Sequence, residues 1–133
     1  MVDTSVWSLF LRRPVPEPHR AVEVLKQLLE DDQALVAGLV YQELLSGLRS
    51  NKQFEELSEV LGGFTLVLAD REDHRLAARY HGTCSRHGVQ GSSFDLLLCA
   101  MAYRRGLPIL TTDRDFDYYA RHVPVRLLPY AEG

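Results

Sequence analysis

Apolar residues along the chain change their period several times, and each change marks an element. After a strand-like opening at Val2, residues 5–12 carry Val6, Leu9 and Phe10 at helical spacing. Over 19–32, Ala21, Val22, Leu25, Leu28 and Leu29 repeat with a helical period. Residues 34–37 form a short unbroken apolar run, which predicts a buried strand. Helical spacing resumes over 39–49, with Val40, Leu44, Leu45 and Leu48 inward. Asn51 is placed to cap a further helix that ends near Gly62 and Gly63. Residues 64–68 read as strand, and 70–87 as a long helix closed by Gly88. A helix over 92–105 stops at Gly106 and Pro108. Strand at 109–111, a short helix over 115–122 and a last strand at 125–128 complete the pattern. Pro14, Pro16 and Pro18 punctuate the loop between the first two helices. The chain shows no internal repeat, linker or low-complexity segment.

Short apolar strands alternating with helices predict right-handed crossovers and a parallel sheet covered on both faces. The fold class is therefore α/β. In such open sheets ligands bind beyond the carboxyl ends of the strands. The 133 residues fit one domain spanning 1–133. With 46% hydrophobic and 25% charged residues the composition is that of a globular chain with a real core. No apolar run approaches the ~20 residues that cross a bilayer. Nor does the opening Met1-Val2-Asp3 look like a secretory leader, so a cytoplasmic protein without membrane contact is expected. Cys84 and Cys99 lie in no metal or redox spacing and read as reduced structural thiols. Net charge is −3, so bulk electrostatics do not announce a nucleic-acid binder.

Acids stand after the predicted strands. Asp3 follows the first, Glu43 lies early in the helix after 34–37, and Asp113 and Asp115 follow 109–111. Asp95 lies in the first turn of the helix opened by Ser92. Each has an ordinary alternative. Ser92 with Asp95 makes a capping box, Asp113 suits an N-cap, Asp115 complements a helix dipole, and Glu43 suits an exposed helix face. Together they predict carboxylates gathered at one sheet edge, tolerable only with a cation or bound protons. Hard oxygen donors select Mg²⁺ or Mn²⁺ over zinc. Such an ion lets a water attack a phosphodiester with no nucleophilic side chain.

Four segments in order carry a family resemblance. Val2-Asp3-Thr4-Ser5-Val6-Trp7 resembles the opening of PIN-domain ribonuclease toxins of the VapC type, from bacterial toxin–antitoxin pairs. Val40-Tyr41-Gln42-Glu43-Leu44-Leu45-Ser46-Gly47-Leu48-Arg49 resembles their second acidic motif. Gly88-Val89-Gln90-Gly91-Ser92-Ser93-Phe94-Asp95 resembles the third, and Leu107-Pro108-Ile109-Leu110-Thr111-Thr112-Asp113-Arg114-Asp115-Phe116 the fourth. The match covers essentially the whole chain. One departure is that members often have three or four residues before the first aspartate, where this sequence has two. The first strand is then short, or the true start lies upstream.

The resemblance implies a PIN-like three-layer α/β/α sandwich with a parallel sheet of four to five strands. It implies an endoribonuclease for single-stranded regions of RNA, using Mg²⁺ or Mn²⁺. Asp3 and Asp95 match the principal metal ligands, and Glu43 and Asp113 complete the acidic quartet. Asp115 matches a fifth acid of some members, a supporting or second-metal ligand beside Asp113. Thr4 matches a hydroxyl residue that orients the site, and Thr112 is expected to act likewise. A homodimer and a cognate VapB-type antitoxin are implied, the antitoxin seated in an apolar groove with a basic side chain among the acids. Trp7, Phe10 and Leu11 are candidates to line that groove. The RNA is a transfer, ribosomal or messenger RNA.

Arg12, Arg13, Arg49 and Arg114 are candidates for phosphate contacts. Tyr118 and Tyr119 are set either for core or dimer packing or for stacking on bases. His74, His81 and His87 read as surface residues. The rival readings are a phosphatase or DNA nuclease with like metal chemistry, and a degenerate PIN domain that binds RNA or protein without catalysis. The large structure-specific DNA nucleases of this fold need helical additions for which this chain has no room. A degenerate module would be missing acids, and all are present.

Overall fold

A computed structural model describes residues 1–11 and 19–130. Helices α1 (Thr4–Leu11) and α2 (Arg20–Glu30) precede strand β1 (Val36–Ala37). Helices α3 (Gly38–Ser46) and α4 (Asn51–Leu61) follow, then strand β2 (Leu66–Val67). Helices α5 (Arg71–Arg86), α6 (Ser93–Arg104) and α7 (Asp115–Ala120) complete the order. The predicted helices are thus present within a few residues of their expected bounds. Ser50 rather than Asn51 caps α4, its hydroxyl accepting from the backbone N–H of Gln53 at 3.1 Å.

The sheet is real but narrow along its strands. Strands β1 and β2 pair in parallel, with Val36 opposite Leu66 and Ala37 opposite Val67. The Val2 backbone N–H donates to Leu35 O, and Val2 bridges Leu110 in parallel. Ile109 in turn bridges Leu127 in parallel. Five extended segments therefore lie side by side in the order 66–67, 36–37, 2, 109–110 and 127. Two of them are regular strands, and the expected strands at 109–111 and 125–128 contract to single bridges. A parallel array this short is stable because helices bury it. Here α1 packs on α2 and α3, α3 also lies on α4 and both strands, and α5 lies along α6.

Helix α6 is the clearest case of sequence dictating position. Leu96, Leu98, Cys99, Ala100, Met101 and Ala102 are all buried, so the helix is apolar on every side. A helix of that kind belongs inside a protein. Trp7, Val6, Leu25, Leu61, Ile109 and Phe116 share its core. Trp7 meets Phe10 and Phe64 edge to face, with ring centroids 6.1 and 5.5 Å away. At 1% exposure Trp7 lines no groove, which corrects that expectation. Phe10 and Leu11 are half-buried against the same core, and the Pro-rich loop lies outside the described residues.

Glycine ends both central helices. Gly88 has φ 75° and Gly106 has φ 66°, backbone that a side chain disfavours. After α5, Gly88 N–H donates to Ser85 O and Val89 N–H to Cys84 O. After α6, Gly106 N–H donates to Tyr103 O and Leu107 N–H to Ala102 O. Both are Schellman closures that satisfy the last carbonyls of the helix. No described helix is long and apolar enough to cross a membrane.

Candidate metal centre

The register of the first segment fixes the site. Leu110 N–H donates to Met1 O and Asp3 N–H donates to Leu110 O, both at 2.9 Å. Asp3 therefore leaves the sheet beside Thr111, at the carboxyl end of two neighbouring segments. It is buried, and three bonds converge on its Oδ2. The Ser5 and Thr111 hydroxyls donate at 2.8 Å, and the Ser5 backbone N–H at 3.4 Å. The network continues outward. Thr112 N–H donates to Ser5 Oγ and Asp113 N–H to Thr111 Oγ1, each at 3.0 Å.

These contacts revise the expected orienting residues. The hydroxyls that hold Asp3 are those of Ser5 and Thr111, one place away from Thr4 and Thr112. Side chains alternate along an extended segment, so the buried Thr111 turns inward and Thr112 does not. Thr112 joins through its backbone alone. The Thr4 hydroxyl is buried without a hydrogen-bond partner. Only the tertiary register reveals which of two adjacent hydroxyl residues faces the carboxylate.

Asp95, Asp113 and Asp115 come together. A carboxylate oxygen from each lies within 4.8 Å of the other two. Neither Asp3 nor Glu43 belongs to this group of three. Asp3 is nevertheless close enough for its charge to act on Asp95. Glu43 is exposed on α3, which leaves the carboxyl end of β1 directly.

The ordinary readings of these acids are partly realised. Ser92 caps α6, its hydroxyl accepting from Asp95 N–H at 3.0 Å. The Asp95 carboxylate does not simply complete a capping box, because the Tyr119 hydroxyl donates to its Oδ2 at 2.9 Å. Asp113 Oδ1 accepts from Asp115 N–H at 2.9 Å, a local turn that brings the two acids onto one side. Arg114 stands at the N-cap of α7 without a side-chain cap bond.

Burial raises the pKa of Asp95, and the charges of Asp3 and Asp113 push the same way against the bonds from Tyr119 and Ser92. Burial, reinforced by Asp95, raises the Tyr119 phenol, which keeps it a hydrogen-bond donor. Tyr119 is thus core, as one of its readings expected, and its hydroxyl also holds Asp95; it lies three residues past the fourth motif, which gave no hint of this bond. Gly91 supports the same corner: a Cβ there would meet Leu96 at 2.6 Å, so the chain enters α6 closely packed.

The donor set is all oxygen, with no histidine or cysteine in the group. Converging carboxylates that repel each other suit a hard divalent ion such as Mg²⁺ or Mn²⁺.

The arginine candidates scatter. Arg114 is exposed beside Asp113, and both line a cleft of about 290 Å³ with Thr112 and Asp117. Arg49 is exposed just past α3. Arg12 and Arg13 lie outside the described residues. His74 and His81 are exposed and border a cleft between α5 and α6. His87 stacks on His122 with centroids 4.4 Å apart.

Comparison with known proteins places this arrangement. The family model described as PIN domain matches residues 1–122. The chain is 33% identical over 125 residues to Ribonuclease VapC11 of Mycobacterium tuberculosis, covering 91% of each chain. The same identity and coverage hold for VapC ribonuclease Mb1587 of Mycobacterium bovis. Among solved structures, FitAcB from Neisseria gonorrhoeae superposes with a TM-score of 0.74 at 22% identity, covering 96% of this chain and 95% of that one. VapBC-5 from M. tuberculosis, a member of a family of toxin–antitoxin systems, gives 0.67 at 21% identity, with 96% and 94% covered. These two likenesses concern the fold, an α/β/α sandwich. The chain belongs to the PIN-domain family, among its VapC-type members.

Proposed function

We propose that this protein is the toxin of a bacterial toxin–antitoxin pair, a divalent-metal-dependent endoribonuclease that hydrolyses single-stranded regions of RNA. The observation that carries the reading is the meeting of Asp95, Asp113 and Asp115 at the sheet edge where Asp3 is held. The names of the VapC relatives, which are ribonucleases, support the reaction class.

Asp3, Asp95, Asp113 and Asp115 would hold Mg²⁺ or Mn²⁺, with Glu43 completing the acidic set from α3. The bound ion supplies a water of lowered pKa and offsets charge on the phosphate. The protein's part is positional. Ser5 and Thr111 fix Asp3 through Oδ2, and among the described residues no hydrogen bond goes to its Oδ1. Tyr119 fixes Asp95 through its own Oδ2. Locked ligands bind an ion more tightly than free ones, because little rotamer freedom remains to lose. Arg114 is the described arginine best placed beside the acids to meet a phosphate. A cognate antitoxin of VapB type would silence the site with a basic side chain as counter-charge; that VapBC-5, whose fold this chain shares, belongs to a family of toxin–antitoxin systems supports an antitoxin partner. A homodimer acting in the cytoplasm completes the proposal.

The test is cleavage of total RNA by the purified chain with Mg²⁺ or Mn²⁺, with the ends mapped. Wild type is expected to cut at defined unpaired sites. Asp3→Asn and Asp95→Asn are each expected to lose more than ~100-fold in rate while staying folded. Full activity in either variant removes that residue from the mechanism. A folded wild-type chain that cuts no RNA favours the degenerate, non-catalytic module.

A further inference from the structure

A cleft of about 230 Å³ opens directly beside the carboxylates. Gly88, Val89, Gln90, Asp115, Tyr118 and Tyr119 line it. Two of these already belong to the site: Asp115 is one of the three converging acids, and Tyr119 holds Asp95. The cleft is therefore a continuation of the reaction centre.

Its two walls follow from local structure. One is the segment leaving α5, turned across the molecule by Gly88 in its left-handed conformation. The other is α7, a six-residue helix that buries Phe116 and Tyr119. Burying those two leaves Tyr118 on the outer side, where it is 50% exposed. Arg121 sits over the Tyr118 ring, 5.1 Å from its centroid. That contact steadies the ring and adds a positive charge to an acidic edge.

We propose that this cleft is a nucleobase subsite, which takes one unpaired base beside the carboxylates, where a divalent ion would hold the neighbouring phosphate. The proposal rests on the ribonuclease reading above. The base stacks on Tyr118, and the Gln90 amide, with both donors and an acceptor, meets its edge. Carboxylates on the same rim disfavour the RNA backbone, so an aromatic face rather than general positive charge must supply the grip here. Stacking needs a base free of its neighbours and its pairing partner. The subsite therefore selects single strands by shape. The competing occupant is an arginine side chain of a peptide, which would also find a ring and a carboxylate.

The test uses single-stranded RNA oligonucleotides with 2-aminopurine at one position in turn, titrated with the full chain in Ca²⁺, which is offered to the carboxylates in place of Mg²⁺ or Mn²⁺ so that the phosphate is held with cleavage suppressed. Fluorescence is expected to be quenched at one position in the single strand and not in a duplex. Tyr118→Ala is expected to abolish that quenching and weaken binding about tenfold, whereas Tyr118→Phe keeps both. Equal melting temperatures confirm that the variants fold. Unchanged quenching in Tyr118→Ala overturns the subsite, as does a wild-type chain that binds no RNA. So does a Tyr118→Ala variant that loses affinity only for an arginine-rich peptide. Cleavage with Mg²⁺ is scored in parallel. Tyr118-dependent quenching without any wild-type cleavage sinks the ribonuclease reading and leaves the subsite standing.

Discussion

Asp95 pays twice for its position, being drawn partly out of water and set near Asp3 and Asp113. Without a counter-ion this repulsion works against the fold. Asp95→Asn is therefore expected to raise the melting temperature of the metal-free chain in EDTA near pH 7. A gain of about 1 kcal/mol, or roughly 4 °C at this chain length, is the expected scale. An unchanged or lower value would mean that the acids do not strain the fold. Tyr119→Phe removes a single hydrogen bond from Asp95 and keeps the ring. It is expected to weaken Mn²⁺ binding about tenfold by calorimetry with little change in stability. At this scale the sequence displayed the acids but not their supports. Ser5, Thr111 and Tyr119 are ordinary residues beside better-known motif positions, and their role depends on register and on the packing of α7 against α6. The buried thiols of Cys84 and Cys99 fit the structural role expected of them, since burial raises both pKa values and leaves them poor nucleophiles.

Between elements, the joint of α5 with α6 is held by charge. Asp70 and Asp73 form a reciprocal capping box at the start of α5. Asp73 is 0% exposed, yet Arg105 meets it with both Nη atoms, at 2.9 and 3.0 Å, and Arg104 adds a bond at 3.0 Å. Burial alone would raise the Asp73 pKa. The bonds from Arg105, the Asp70 backbone and Arg104 outweigh it and hold the carboxyl well below the ordinary 3.8. The sign follows from linkage. A lowered folded pKa contributes stability above the ordinary value and loses it as pH falls further. Asp73→Asn is expected to cost about 2–3 kcal/mol at neutral pH, because it leaves two arginines partly buried without their partner. The gap from wild type should close below about pH 4, and denaturant melts across pH would show it. A constant gap would place the loss in packing instead. Helical periodicity showed both helices in the sequence. It did not show this ion cluster, whose members lie 31 and 32 residues apart and meet only because the helices cross there. The strands were legible as apolar runs, but their length was not, since single bridges leave little periodicity to read.

For the whole molecule, a bound ion adds its binding free energy to the native state alone. At a hundredfold excess over Kd, Mg²⁺ or Mn²⁺ is expected to stabilise the chain by about 2.7 kcal/mol. A melting temperature indifferent to both ions would remove the metal from the proposal. Fold class and the carboxyl-edge position of the acids followed from alternating strands and helices. That the closest group is Asp95, Asp113 and Asp115, with Asp3 and Glu43 outside it, did not follow from spacing.

The bond from Thr111 to Asp3 joins residues 108 positions apart. During synthesis Asp3 emerges early, with Ser5 beside it, and lacks the support of Thr111 until that residue is also outside the ribosome. Nascent chains stopped before that point contain the first aspartate but only the Ser5 part of its support. If the proposed ribonuclease reading holds, full cleavage is expected only after the chain has left the RNA-rich machine that makes it, which assays on stalled nascent chains would check.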